Sequence, residues 1–215
     1  MSDTEQEPSS PPCALGDLDS YLASTAPVDI ADWRKGERKR LIAARMELPS
    51  AEREAMDEAI RTGVAALIGE PRGQIVSAYW PFRAEPDLRP LLRSLRDAGA
   101  RIALPVVVAK GQPLLFREWL PGAKLARGVW NIPYPEDGPE VVPDLSIAPV
   151  VGYDARYYRL GYGGGFFDRT LASLTVQPRC IGVGYTQQRL ATIHPQPHDI
   201  PMAAIVTERG TLRPD

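Results

Sequence analysis

Apolar positions recur along this chain in two rhythms, and the switches between them mark out its elements. Asp32 to Leu48 carries Leu41, Ile42, Ala44 and Leu48 at helical spacing, with Asp32 as the expected N-cap and Pro49 as the stop. Ser50 opens a second helical pattern in Ala55, Ala59, Val64, Leu67 and Ile68, closed by Gly69 and Pro71. Ile75 to Trp80 is a short, nearly unbroken apolar run halted by Pro81, which predicts a buried strand. Pro86 to Ala98 returns to helix, with Leu88, Leu91, Leu92 and Leu95 inward and Gly99 past its end. Arg101 to Val108 and Pro113 to Trp119 read as strands, the second at a sheet edge. Leu145 to Val151 is a further strand feeding a loop from Gly152 to Arg159. A glycine-rich stretch and a helix follow, then strands over Arg179 to Tyr185 and Ala203 to Glu208. Strands alternating with helices predict an α/β fold: a mainly parallel sheet with helices on both faces, in three layers.

Residues 1–28 follow neither rhythm. They combine Asp, Glu, Ser and Pro, including Pro8-Ser9-Ser10-Pro11-Pro12, and predict a disordered acidic tail ahead of a single domain over 29–215. Leu15, Leu18, Tyr21 and Leu22 leave open one short docking helix within it. A formal net charge of −2 supplies no overall attraction to nucleic acid or an anionic membrane. No apolar run approaches the ~20 residues of a membrane span, and the start lacks the basic and apolar parts of a secretory signal. The two cysteines, Cys13 and Cys180, form no zinc or redox spacing, and a reducing cytoplasm suits them. A monomer is the expectation.

The chemistry concentrates in Arg159-Leu160-Gly161-Tyr162-Gly163-Gly164-Gly165-Phe166-Phe167-Asp168-Arg169. Four glycines within five positions let the backbone approach a ligand and turn its N–H groups inward. The helix that follows offers orphan N–H groups and a dipole that favour anions. Arginines at both ends and Asp168 suit phosphate with a divalent cation. The alternative is a tight strand-to-helix turn whose glycines serve packing alone. Arg34, Lys35, Arg38, Lys39 and Arg40 form either a solvated basic face or a second wall for phosphates. Asp168 either stabilises its helix or holds metal. Glu85 either caps the helix begun by Pro86 or binds substrate. Trp80 and Trp130 are candidate walls for a flat ring. His194 and His198 lie four apart, but Pro195 and Pro197 deny them a shared helix face, so a histidine zinc site is not expected.

The glycine stretch resembles the signature of the 5-formyltetrahydrofolate cyclo-ligase (5,10-methenyltetrahydrofolate synthetase) family. Trp33 to Arg45 is similar to that family's basic N-terminal helix, and Ala78-Tyr79-Trp80-Pro81 through Glu85 to its strand and acidic loop. Trp130-Asn131-Ile132-Pro133-Tyr134-Pro135 resembles its Trp-Asn-Ile-Pro segment. His198-Asp199 with Ala204-Ile205-Val206-Thr207-Glu208 resembles its C-terminal end. The resemblance spans roughly residues 33 to 210. It implies a NagB/RpiA/CoA-transferase-like fold and ATP-dependent cyclisation of 5-formyltetrahydrofolate to 5,10-methenyltetrahydrofolate, with Mg²⁺ as cofactor. It implies an ATP site of Arg34, Lys35, Arg38 and Arg159 to Phe167 (Arg159, Leu160, Gly161, Tyr162, Gly163, Gly164, Gly165, Phe166, Phe167). Substrate would meet Trp80, Glu85, Trp130, Tyr162 and Phe166, and metal would sit on Asp168 and Asp199. Arg159, Asp168 and Arg38 would carry the catalysis. Arg34 stands where the family has lysine, and Tyr162 and Gly164 stand where some members place a basic residue. A phosphate-binding isomerase or transferase relative and a non-catalytic folate- or nucleotide-binding paralogue are the rival readings.

Overall fold

The computed structural model describes residues 29–214, so the predicted tail, with Cys13 and its docking-helix positions, lies outside the described residues. Helix α1 (Ile30–Met46) begins one turn earlier than expected. The Asp29 carboxylate accepts the N–H groups of Ala31 and Asp32 at 2.9 and 3.1 Å, making Asp29 the N-cap. Asp32 falls in the first turn, where its charge complements the helix dipole. Helix α2 (Ser50–Ile68) follows and ends at Gly69, whose φ of +71° is a backbone state that glycine enters without steric penalty.

Strand β1 is Ile75–Ser77, shorter than its apolar run. After Ala78 donates to the Ala103 carbonyl at 3.1 Å, the chain leaves the sheet. Helix α3 is Arg89–Asp97, so Pro86 precedes the helix rather than starting it. Strands β2 (Arg101–Val107) and β3 (Leu114–Glu118) pair antiparallel, which puts β3 at the edge as predicted. Strands β4 (Leu125–Arg127) and β5 (Pro133–Pro135) form a hairpin outside the main sheet. Strand β6 (Leu145–Pro149) is followed by β7 (Gly152–Tyr153) and β8 (Arg159–Leu160). These two pair antiparallel, so the expected loop is a small hairpin. Helix α4 (Phe166–Ser173), β9 (Arg179–Val183), β10 (Ala204–Thr207) and β11 (Gly210–Leu212) complete the described chain.

The main sheet has seven strands in the order β11-β10-β9-β6-β1-β2-β3. Its inner pairs are parallel, and β3 and β11 close the edges antiparallel. Successive residues of a strand face opposite sides. Ile147, Ile181 and Val206 pack under α2 and α3 with Ile60, Val64, Leu92 and Leu95. Ala148, Cys180 and Ile205 pack on the other side with Leu171 of α4. Helices therefore cover both faces, and burying each large side chain in these layers stabilises by about 1.5–3 kcal/mol. Gly63 lets α2 lie close on the sheet, since a methyl group there would meet Val206 Cγ1 at 2.9 Å. On the α4 side, Ser77 and Ser146 share a hydrogen bond of 2.7 Å between their buried hydroxyls and form the floor of a cavity.

Candidate active site

That cavity, about 270 Å³, lies over the carboxyl ends of β1 and β6, where parallel α/β sheets usually hold ligands. Its walls are α1, the acidic loop after β1, the β4–β5 hairpin and the glycine loop between β8 and α4. Gly163 and Gly165 have φ of +92° and +60°, backbone states that glycine enters without steric penalty. The space beside the loop is also filled: a Cβ on Gly163 would lie 3.3 Å from Arg38 Cζ, and one on Gly164 2.7 Å from the Phe166 ring. Among the described residues, no backbone N–H from Tyr162 to Asp168 donates to a protein group. A row of unspent donors running into a helix N-terminus is chemically suited to an anion.

Arginines surround this row. Arg38 donates through Nε to the Gly161 carbonyl at 2.7 Å, and its terminal nitrogens make no bond among the described residues. Burial, then the nearby charge of Arg34, lowers the Arg38 pKa, while Asp199 opposes them. Two guanidinium groups held this close gain from an anion between them. Arg34 is buried and donates to the Ile193 and His194 carbonyls at 3.0 and 3.1 Å and to the Asp199 carboxylate. Arg159 pairs with Asp168 at 3.0 Å, and its guanidinium lies 4.5 Å over the Phe167 ring. Burial lowers the Arg159 pKa, with Asp168 pulling it back up. Lys35 does not join this group; it is exposed on α1 and lines an adjoining cleft with Lys39 and Arg83. Leu160 is buried and forms part of the cavity wall.

Asp168 and Asp199 both line the cavity, each braced by an arginine and a backbone N–H, Ile200 for Asp168 and Gln196 for Asp199. No group of three or more acidic, histidine or cysteine side chains gathers among the described residues. Two carboxylates facing an anion cradle fit magnesium, which takes most of its ligands from phosphate and water rather than from a protein cage.

The opposite wall carries a buried acid. The Glu85 side chain is 2% exposed. It accepts the Tyr162 hydroxyl at 2.7 Å and the Phe82 N–H at 2.9 Å, rather than capping α3. Burial lifts its pKa to about 7, against the pull of Arg45, Tyr162 and the Phe82 N–H. Arg83 and Ala84, just before it, have φ of +48° and +58° in a turn closed by the Glu85 N–H on the Phe82 carbonyl at 3.1 Å. Phe82, Trp130 and Tyr162 gather beside Glu85, with the Phe82 and Trp130 rings parallel within 5° and their centroids 6.1 Å apart. Trp130 is 50% exposed at the tip of the β4–β5 hairpin, and Trp80 lines the cavity with its edge on Trp119. Phe166 lines it from the glycine side.

Sequence reasoning passed over Arg45. It is fully buried and donates to the Arg83 carbonyl at 2.9 Å, the Val150 carbonyl at 3.3 Å and the Tyr162 hydroxyl at 2.6 Å. The signal was present: Arg34, Arg38, Leu41 and Arg45 fall at helical spacing on one face of α1, so the arginines form the inner stripe and not only a solvated one.

A profile of the 5-formyltetrahydrofolate cyclo-ligase family matches residues 30–208. A 5-formyltetrahydrofolate cyclo-ligase of Mycolicibacterium smegmatis is 34% identical over 184 residues, covering 81% of this chain and 94% of that protein. One from Escherichia coli is 35% identical over 142 residues, covering 61% and 76%. The NMR structure of Aquifex aeolicus 5,10-methenyltetrahydrofolate synthetase superposes with a TM-score of 0.73 at 27% identity, covering 84% of this chain and 92% of that one. With the profile spanning nearly all the described residues, the chain belongs to the 5-formyltetrahydrofolate cyclo-ligase family.

Proposed function

We propose that this cyclo-ligase uses ATP to close 5-formyltetrahydrofolate into 5,10-methenyltetrahydrofolate, binding triphosphate on the glycine loop and pterin at Glu85. The observation that carries this is one cavity with two unlike walls: unspent N–H groups among arginines on one side, a buried carboxylate among aromatics on the other. The N5 formyl group is an amide whose oxygen is a poor leaving group. That oxygen attacks the γ-phosphorus of ATP, ADP departs, and N5 becomes an iminium bearing a phosphate ester. N10 then attacks the activated carbon and loses its proton, phosphate leaves with the C–O bonding pair, and the ring closes.

Positioning and charge neutralisation dominate such a transfer. Arg38, Arg159 and the N–H groups from Tyr162 to Phe167 hold the phosphates, with Arg34 bracing Asp199 beside them. Asp168 and Asp199 would hold Mg²⁺, which neutralises phosphate charge. Glu85 accepts N–H groups of the reduced pterin, and Trp80, Trp130, Tyr162 and Phe166 flank its ring, so that N10 meets the carbon at close range. No side chain is assigned as general base. A monomer remains the proposed state, and reduced folate and ATP suit a cytoplasmic setting. The sheet, with parallel inner strands and helices on both faces, is in keeping with the fold of sugar-phosphate isomerases and CoA transferases.

The test is absorbance at the methenyl chromophore with purified protein, 5-formyltetrahydrofolate, ATP and Mg²⁺. Product formation with one ADP released per ring closed is expected. Phosphate binding without folate-dependent ADP release would point instead to an isomerase or transferase chemistry.

A further inference from the structure

We infer that Arg45 is a positioning residue that favours the charged form of Glu85 and ties the folate wall of the cavity to the nucleotide loop. The inference rests on the proposed role of Glu85 in binding the pterin.

The guanidinium is divided among the segments that build the site. Nε donates to the Arg83 carbonyl inside the left-handed turn that presents Glu85. Nη1 donates to the Val150 carbonyl, just past the end of β6. Nη2 donates to the Tyr162 hydroxyl of the glycine loop and lies 3.9 Å from Glu85 Oε1. Because the Tyr162 oxygen accepts from Arg45, its own proton is turned toward Glu85, where it donates at 2.7 Å. The direction of this chain is therefore set, from Arg45 to Tyr162 to Glu85.

A fully buried cation whose geometry served packing alone would be replaceable by an apolar side chain of like size. Here the cation faces a carboxylate that burial pushes toward its neutral, proton-donating form. A neutral carboxyl presents one acceptor fewer to the N–H edge of a pterin. The charged and titratable groups around Glu85 are Arg45 from α1, Tyr162 from the glycine loop and Tyr79 from the chain leaving β1. Tyr79 is buried and donates its proton to the Pro86 carbonyl, and burial and then Glu85 raise its pKa well above the ordinary value. Arg45 is thus the cation among these groups. Removing an opposite charge at this range raises a carboxyl pKa by about one unit or more.

The experiment compares Arg45→Met, Arg45→Lys and Tyr162→Phe with the native enzyme, measuring kcat/KM for 5-formyltetrahydrofolate from pH 5.5 to 9 alongside thermal melts. Arg45→Met should move the acid limb of the profile upward by about one pH unit or more and lower kcat/KM at pH 7 about fivefold or more. Arg45→Lys should restore part of both. Tyr162→Phe should move the limb the same way by a smaller amount, which keeps the inference testable if Arg45→Met does not fold. An unmoved acid limb in Arg45→Met, or in Tyr162→Phe where that is the variant that folds, overturns the inference whatever the melting temperature does. Glu85→Gln separates this from its premise: folate affinity untouched by Glu85→Gln removes the assigned role of Glu85 itself. A crippled Glu85→Gln beside an unmoved limb in Arg45→Met removes only the inference about Arg45.

Discussion

Replacing Glu85 with glutamine should separate recognition from stability in one substitution. The Glu85 carboxyl has an ordinary pKa of 4.5, lifted to about 7 by burial, so the folded protein holds this proton more tightly than the unfolded chain does. For a carboxyl raised in this way the penalty on folding is absent below about pH 4.5, grows up to about pH 7 and is complete above it. At 1.36 kcal/mol per pH unit that interval amounts to about 3 kcal/mol. The side chain is almost wholly buried, so solvent screening removes little of it. Glutamine keeps the volume and an oxygen that can accept the Phe82 N–H, and it carries no charge to bury. The variant should therefore melt roughly 6–12 °C above the native protein at pH 8, with the advantage falling to about a quarter at pH 5. Its folate KM should rise on the order of 10²-fold, since hydrogen bonds to a charged acceptor are worth about 1.5–3 kcal/mol each. Calorimetry at both pH values and absorbance of the methenyl product measure the two halves. A melting gain of the same size at pH 5 and pH 8, or a loss at pH 8, refutes the claim that a buried charge is what Glu85 costs the fold.

Asp168→Asn should lower turnover on the order of 10²–10³-fold while circular dichroism stays native; turnover near the native level at saturating Mg²⁺ would remove Asp168 from the metal site. Gly163→Ala puts a methyl group 3.3 Å from Arg38 Cζ in a backbone state with φ of +92°. It should raise the ATP KM about tenfold and destabilise by about 1–3 kcal/mol, and an unchanged ATP KM would mean that the loop does not grip phosphate. Trp130→Ala removes an exposed ring from the folate side and should raise the folate KM about 2- to 12-fold, equivalent to ~0.5–1.5 kcal/mol, with the ATP KM unmoved; equal changes in both would contradict the two-walled cavity.

The elements that were legible in the chain are those with a long, regular pattern and a clear stop. Helix α2 was readable because Val64 and Ile68 repeat at helical spacing and Gly69 ends them. The parallel strands β6 and β9 were readable because strands buried on both faces lose their alternation and become apolar runs. The hairpins were not. Strand β5 is Pro-Tyr-Pro, a sequence that argues against a strand anywhere but an edge, and β7 and β8 have two residues each. The site divides in the same way. The glycines, arginines and Asp168 of the proposed anion cradle stand together in one short stretch, whereas the Glu85–Tyr162–Arg45 chain joins residues 77 and 117 positions apart. Such a constellation is created by the fold, and spacing along the chain does not reveal it.

The turn through Arg83 and Ala84 bears on how this enzyme could acquire a new substrate. Both residues sit where glycine is usually found, and the bends are held by the Glu85 carboxylate accepting the Phe82 N–H and by Arg45 on the Arg83 carbonyl. The group proposed to read the ligand is thus also a fastening of its own loop. Exchanging it for a different recognition chemistry undoes the rim that presents it, so evolutionary drift in specificity has an easier path through the Trp130 hairpin, whose exposed tip can vary without unpicking the acid's seat.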